Sequence, residues 1–354
     1  MRLPGGLLNN NRSPGKDDLS INKKILLIFL GVTVSIFIAE ISLRAMNITR
    51  DLLKGRRMAR LSDNQVIGYE LKPAYQYGMY RINNHGFRGK DIETKKGKET
   101  FRIVVIGDSI TFGNHLNERD VYSSLLEGNL NKGDLNRHFE VINAGVGGYN
   151  IWQYLETYKE KVRSLSPDLV IVSICQNDFE AAGPYRRDLF GMVRGDIDAE
   201  TRKGLFDNLA IYRIASNGMK MFSLKREGKG EDTVKMIAPT LAGKWRDGSV
   251  PLNELVKITR EDNIPILFLI FPYRFQIKGN YSYSDDKFIE FMKDNSISHI
   301  DLLDGFRNNS QELYVRGDYV HPNELGHNIA ADLIYRFLVG NGKITGDGGR
   351  PPAR

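Results

Sequence analysis

The chain has 354 residues and a formal net charge of +7, enough length for one large or two small domains with a sizeable core of Phe, Tyr, Ile and Leu. Its basic residues are scattered or flank an apolar segment rather than alternating with aromatics along a groove, so nucleic-acid binding is not indicated. Cys175 is the only cysteine, which excludes an intrachain disulfide and a thiolate metal cluster and says little about compartment.

Residues 1–24, rich in Asn, Gly, Pro and charge, read as a disordered tail. From Ile25 to Leu43 the sequence ILLIFLGVTVSIFIAEISL carries one charge, Glu40, between Lys23-Lys24 and Arg44. As a helix it would rise about 28 Å, close to the thickness of a bilayer's hydrocarbon core. It is expected to be an uncleaved transmembrane anchor over 25–43. A cleaved signal peptide needs small residues three and one before the cut, and neither Phe37 with Ala39 nor Leu43 with Ala45 supplies them. Arg2, Arg12, Lys16, Lys23 and Lys24 precede the span, and Arg44, Arg50, Lys54, Arg56, Arg57 and Arg60 follow it. Counting does not decide the orientation. The paired lysines abutting the span favour a cytoplasmic N-terminus with the bulk of the chain on the extracytoplasmic side.

Residues 44–98 read as a linker and β-hairpin lead-in, with turn chemistry in the Asn-Asn-His-Gly of RINNHGFRGKD. The run Arg102 to Gly113, RIVVIGDSITFG, follows. A short apolar run ending in Gly, Asp and Ser is the pattern of a strand buried on both faces that delivers Ser109 to the carboxyl end of a parallel sheet, next to a helix N-terminus. Ser109 is thereby a candidate nucleophile. Helices are expected at 119–131, 151–165, 251–262, 284–295 and 323–338, and strands at 139–143, 169–174, 266–271 and 299–302. This alternation means βαβ units with right-handed crossovers. It breaks over 179–249, an insertion with one helical stretch at 206–225 that reads as a lid or specificity cap. The main domain spans 99–340, and 341–354 form a second disordered tail.

A serine nucleophile needs a base and a carboxylate that orients it. Of the six histidines, at 85, 115, 138, 299, 321 and 327, His321 sits where the architecture needs one, in GDYVHPNELGH just before the last helix. Pro322 disfavours helix at His321 and Asn323 can cap the helix that follows. Asp318, three residues earlier, can reach the other ring nitrogen. His327 reads as a packing or capping residue, His115 and His299 as structural, Asp108 and Asp178 as loop braces, and Cys175 as a small buried hydrophobe. No pair of His or acidic residues has ligand spacing on a common element, so no metal is expected, and no cofactor either.

Four blocks in order make the stretch Asn83 to Phe337 resemble an SGNH (GDSL-type) hydrolase of the membrane-anchored bacterial kind: GDSITFG, NAGVGGYN, CQND and DYVHPNELGH. The resemblance implies a three-layer α/β/α sandwich with a flavodoxin-like parallel sheet. It also implies a triad of Ser109, Asp318 and His321, with an oxyanion hole formed by the backbone of Ser109 and Gly148 and the side chain of Asn177. Gly145 and Gly147 are weaker donor candidates. Cys175 stands where the third block usually has Gly, which bears on the loop's backbone geometry. The resemblance further implies small acyl esters. With an amino-terminal anchor and an Asn-Gly-Phe-Arg lead-in it points to O-acetyl groups on a cell-envelope or exported carbohydrate, then to lipid esters. The partners expected are thus an acylated glycan or lipid substrate and the membrane. An O-acyltransferase on the same triad is the competing enzyme, and a non-catalytic glycan-binding or assembly protein the competing class.

Overall fold

The computed structural model describes residues 20–45, 58–133, 135, 137–179, 185–187, 193–195, 248–278, 286–340 and 344. Residues 1–19, the expected helix at 206–225 and most of the insertion and C-terminal tail lie outside the described residues. Two compact units are distinguished, an N-terminal one containing helix α1 (Ile21–Ala45) and a main one containing every described strand. Helix α1 has 25 residues. It begins at Ile21 rather than Ile25, so Lys23 and Lys24 lie in its first turn instead of in a tail. Its Ile, Leu and Phe side chains from Ile25 to Ile41 are exposed, and it is long and apolar enough to cross a membrane.

In the main unit, β1 (Ala59–Leu61) pairs antiparallel with β2 (Tyr69–Leu71), and β3 (Tyr75–Tyr77) with β4 (Tyr80–Ile82). The expected lead-in hairpin is β3–β4, continued by an antiparallel bridge from Ile82 to Arg88 across the Asn-Asn-His-Gly turn. This segment is packed rather than loose: Met58, Ile67, Leu71, Ile82, Phe87 and Ile92 are all buried in the core.

The central sheet holds five parallel strands, β5 (Thr100–Gly107), β6 (His138–Gly145), β7 (Leu169–Ile174), β10 (Ile266–Ile270) and β11 (Ser298–Asp301). Between them in sequence lies the short antiparallel pair β8 (Tyr185–Arg187) and β9 (Val193–Gly195). The spatial order is β11-β10-β7-β5-β6, the flavodoxin-like arrangement in which the chain winds first to one side of β5 and then to the other. That reversal opens a crevice at the carboxyl end of β5, where doubly wound sheets place their chemistry.

Ile103 to Ile106 are fully buried because both faces of β5 are covered, which is why the strand shows no polar alternation. Successive side chains serve opposite layers. Val104 and Ile106 pack with helices α4 (Ile151–Thr157), α5 (248–261) and α7 (Asp286–Asp294), whereas Ile103 and Val105 pack with α3 (Tyr122–Lys132), α8 (Leu303–Arg307) and α9 (Glu324–Gly340). Two further short helices, α2 (Ser109–Phe112) and α6 (Arg274–Lys278), lie at the carboxyl ends of β5 and β10. The three-layer α/β/α sandwich implied by the sequence is present. At the opposite end of β5, buried Arg102 pairs with Glu140 at 2.6 Å and donates to the carbonyls of Leu165 and Glu93 at 2.6 and 2.7 Å. Those bonds satisfy a guanidinium that would otherwise be costly to bury.

Candidate active site

Ser109 opens the four-residue helix α2 directly after β5. Asp108 caps it, its Oδ1 accepting from the Ile110 backbone N–H at 2.8 Å, while Ser109 Oγ lies 3.2 Å from Asp108 Oδ2. The helix stops at Gly113, whose left-handed backbone (φ 75°) lets its N–H turn back to the carbonyls of Ser109 and Ile110, both at 3.0 Å. The carbonyls beyond are taken by Arg88 from the lead-in. Its Nη1 donates to the carbonyls of Gly113 (2.6 Å) and Phe112, and its Nη2 to that of Leu116 (2.5 Å). The buried guanidinium lies 4.9 Å from the Tyr80 ring centroid and 5.0 Å from that of Phe112. Burial lowers its pKa to about 10, opposed by the nearby Tyr80 and Glu118, so it stays charged at neutral pH.

His321 approaches from the loop before α9. Asn323 caps that helix as expected, its Oδ1 accepting from the N–H groups of Leu325 and Gly326 at 3.0 and 3.1 Å. The loop is closed upstream by the Val315 N–H donating to the His321 carbonyl at 3.0 Å and the Asp318 N–H to the Val315 carbonyl at 2.9 Å. Asp318 Oδ1 accepts from the N–H groups of Val320 and His321 at 2.8 and 3.0 Å, leaving Oδ2 to lie 2.7 Å from His321 Nδ1. His321 Nε2 is 2.9 Å from Ser109 Oγ. A carboxylate at Nδ1 assigns the proton to that nitrogen, so Nε2 presents a lone pair to the serine hydroxyl. Burial pushes the Asp318 carboxyl up, but the hydrogen bond from His321 and the two backbone N–H groups outweigh it and hold its pKa well below the usual range. Asp318 is therefore ionised at every working pH.

The loop after β6 flanks the serine from the other side. A Cβ on Gly147 would lie 3.8 Å from Ser109 Cβ and 4.0 Å from Asn114 Nδ2. Gly148 has a left-handed backbone (φ 81°), and a Cβ there would come within 3.0 Å of Tyr69 Oη. The Tyr69 hydroxyl donates to the Gly147 carbonyl, the Tyr149 hydroxyl donates to the Tyr69 carbonyl, and the two rings meet edge to face at 5.2 Å. The Gly145 N–H is taken by Asn143 Oδ1 at 3.0 Å, in keeping with its weaker standing as a donor. No described residue accepts from the N–H of Ser109 or Gly148. Asn177 has its backbone in the turn Gln176–Phe179 after β7, and its side chain lies outside the described residues.

Cys175 is buried outside the left-handed region, so replacing Gly imposes no backbone strain there. Its N–H donates to Asp178 Oδ2 at 2.8 Å, and its Sγ lies 3.5 Å from Asp108 Oδ2. Burial and the neighbouring Asp108 push the Asp178 carboxyl well up, against the stabilising Cys175 N–H. His327 is buried on α9, and its Nδ1 accepts from the Tyr122 N–H at 3.1 Å, capping α3. Burial, and then the charges of Arg88 and His321, push its pKa down to about 3.

Sequence reasoning missed Arg88, Tyr69 and the placement of His115. The His115 ring stands 5.6 Å from that of His321, beside the site rather than in a structural role elsewhere. Two groups of ligating side chains gather from different elements, His115 with Asp318 and His321, and Asp108 with Cys175 and Asp178. Spacing along single elements could not reveal either.

A doubly wound α/β domain with a serine, a histidine and a carboxylate in hydrogen-bonded series at the carboxyl edge of its sheet has the architecture of a serine hydrolase. The family model of the GDSL-like lipase/acylhydrolase family matches residues 105–329, more than half of the chain. The chain belongs to that family and is a hydrolase of ester bonds. It is similar to a catalytic mutant of an acetylxylan esterase from Geobacillus stearothermophilus, 18% identical over 67% of this chain and 93% of that chain, with a TM-score of 0.40. It is also similar to the lipase/acylhydrolase from Enterococcus faecalis, 14% identical over 68% of this chain and 96% of that chain, with a TM-score of 0.41. Among curated proteins none matches the chain.

Proposed function

We propose that the protein is a membrane-anchored serine esterase that removes acyl groups, O-acetyl foremost, from a cell-envelope or exported carbohydrate through a triad of Ser109, His321 and Asp318. The observation that carries the triad is the unbroken series from Asp318 Oδ2 to His321 Nδ1 at 2.7 Å and from His321 Nε2 to Ser109 Oγ at 2.9 Å. Ser109 Oγ attacks the ester carbonyl as His321 Nε2 takes its proton, and the ionised Asp318 stabilises the imidazolium that forms. The tetrahedral oxyanion is received by the backbone N–H groups of Ser109 and Gly148 and the amide of Asn177. The carbon–oxygen bond to the alcohol then breaks, and His321 returns the proton to the leaving oxygen. Water activated by His321 next attacks the acyl-serine, which releases the acid and restores Ser109.

A hydroxyl-rich alcohol suits the polar surroundings of the serine, where Asn114 and, beside His321, the exposed His115 stand. Anchoring is supported by the length and exposed apolar surface of α1, and an extracytoplasmic hydrolase domain by the lysine pair at its start. Acetate release from an O-acetylated polysaccharide, measured beside turnover of short- and long-chain chromogenic esters and with a sugar acceptor present, tests the substrate. Preference for the acetylated glycan with water as acceptor is expected. Preference for long acyl chains would replace the carbohydrate with a lipid ester, and acyl transfer outpacing hydrolysis would make the protein an O-acyltransferase.

A further inference from the structure

His115 is used by no step of the hydrolysis above, yet the fold brings it to the catalytic histidine. Its backbone is left-handed (φ 72°), a conformation that Gly or Asn adopts with less strain. The residue is held there by its N–H donating to Tyr80 Oη at 3.0 Å, and by the tight turn in which the Leu116 N–H donates to the Gly113 carbonyl at 3.2 Å. The result is an imidazole standing edge-on to His321, ring centroids 5.6 Å apart. One ligand atom each from His115, Asp318 and His321 lie within 4.8 Å of one another, with His115 exposed and the other two half-buried.

We propose that His115, Asp318 and His321 form an inhibitory site for a divalent transition-metal ion, with Zn2+ the ion that fits best. Two imidazoles and one carboxylate, with water in the fourth position, are a donor set that zinc accepts in tetrahedral geometry. The exposed His115 is placed to close on an ion that the other two residues hold. Inhibition follows from the chemistry of imidazole, because a neutral ring has one lone pair and one N–H. An ion that takes the lone pair of His321 through either nitrogen leaves the proton on the other, and the ring can no longer accept the proton of Ser109. Zinc binding displaces no covalent bond and is reversed by a chelator. The inhibitory consequence rests on the triad proposed above, whereas the binding itself does not.

The test uses the full-length chain, purified without a polyhistidine tag and stripped of metal. Zn2+ is titrated against turnover of a chromogenic acetyl ester, and Co2+ binding is followed separately by its visible absorption. One Co2+ per chain is expected, together with zinc inhibition that a chelator reverses. His115→Ala should raise the half-inhibitory Zn2+ concentration at least about tenfold, the lower end of what loss of even an outer partner costs a metal site, with each variant scored against its own metal-free rate. His115→Asn, which suits the left-handed backbone, should behave likewise. Ser109→Ala removes no ligand and should keep the cobalt spectrum. Equal half-inhibition and equal cobalt absorption in the parent and both His115 variants would overturn the site. If instead Ser109→Ala turns over normally while cobalt binding still depends on His115, the triad falls and the metal site stands.

Discussion

His321 has one partner at each ring nitrogen, so its two neighbours act on the reaction through it. Ser109→Ala and His321→Ala are each expected to reduce turnover by roughly 10⁴-fold or more, and the double variant to be little worse than either, because nucleophile and base work as a unit. Asp318→Asn should cost about 10⁴-fold, since among the described residues Asp318 alone hydrogen-bonds His321 Nδ1 and an amide there favours the wrong tautomer. Asn177→Ala should cost about 10²- to 10³-fold if its amide meets the oxyanion. Steady-state kinetics on a chromogenic acetyl ester, with circular dichroism to establish folding, measures all four. His327 makes a separate prediction about stability. Its folded pKa of about 3 lies below the ordinary imidazole value of about 6.5, so the unfolded chain binds the extra proton. The stability its burial contributes is therefore whole above about pH 6.5 and is lost as pH falls toward about 3, by at most about 1.4 kcal/mol per pH unit. Urea unfolding at pH 7 and pH 4 should show this loss in the parent, and a smaller one in His327→Gln. Equal losses would mean that His327 is not held neutral.

At the level of elements, the turn that carries Ser109 is secured by the lead-in rather than by its own four-residue helix. Arg88→Met leaves the carbonyls of Phe112 and Leu116 without the Arg88 donor in a buried setting and that of Gly113 with the Leu116 N–H alone, and should destabilise the fold by about 3–5 kcal/mol. Arg88→Lys keeps the charge but not the fork. Among its folded molecules kcat should fall while KM holds, as Ser109 loses its exact station. A kcat equal to the parent's would show that Arg88 serves stability alone. The same packing predicts that a chain beginning at residue 99 fails to fold, whereas one that keeps Met58 onward folds, with soluble yield and thermal unfolding as the measure.

These elements also show what the sequence makes legible. Strand β5 and the cap at Asn323 are legible within about ten residues from periodicity and a Pro, the pair Asp318 and His321 is legible there only as a candidate from its spacing, and the strand order follows from the alternation of elements once the family resemblance is seen. Arg88 and His115 are not legible in that way. One reaches its carbonyls across more than twenty residues of chain, and the other depends on a left-handed turn that brings it to a loop two hundred residues on. Gly148 and Asn177 emerge from the resemblance alone, because neither a backbone donor nor a single loop amide leaves a periodic trace.

For the whole molecule, α1 predicts that the full-length chain sediments with membranes and is extracted by detergent but not by high salt, as burial of a long apolar helix rather than surface charge would require. A reporter active only outside the cytoplasm, fused to Arg354, should give signal. Signal instead from a cytoplasm-only reporter would reverse the orientation and remove the exported carbohydrate as substrate. The claim on which everything else depends is that Ser109 is an activated nucleophile. Covalent labelling by a fluorophosphonate, located by mass spectrometry, tests it most directly. One label per folded chain is expected on Ser109, with no label on Ser109→Ala and greatly slowed labelling of His321→Ala. A folded parent that takes no label, with ester turnover unaltered by Ser109→Ala, would contradict it.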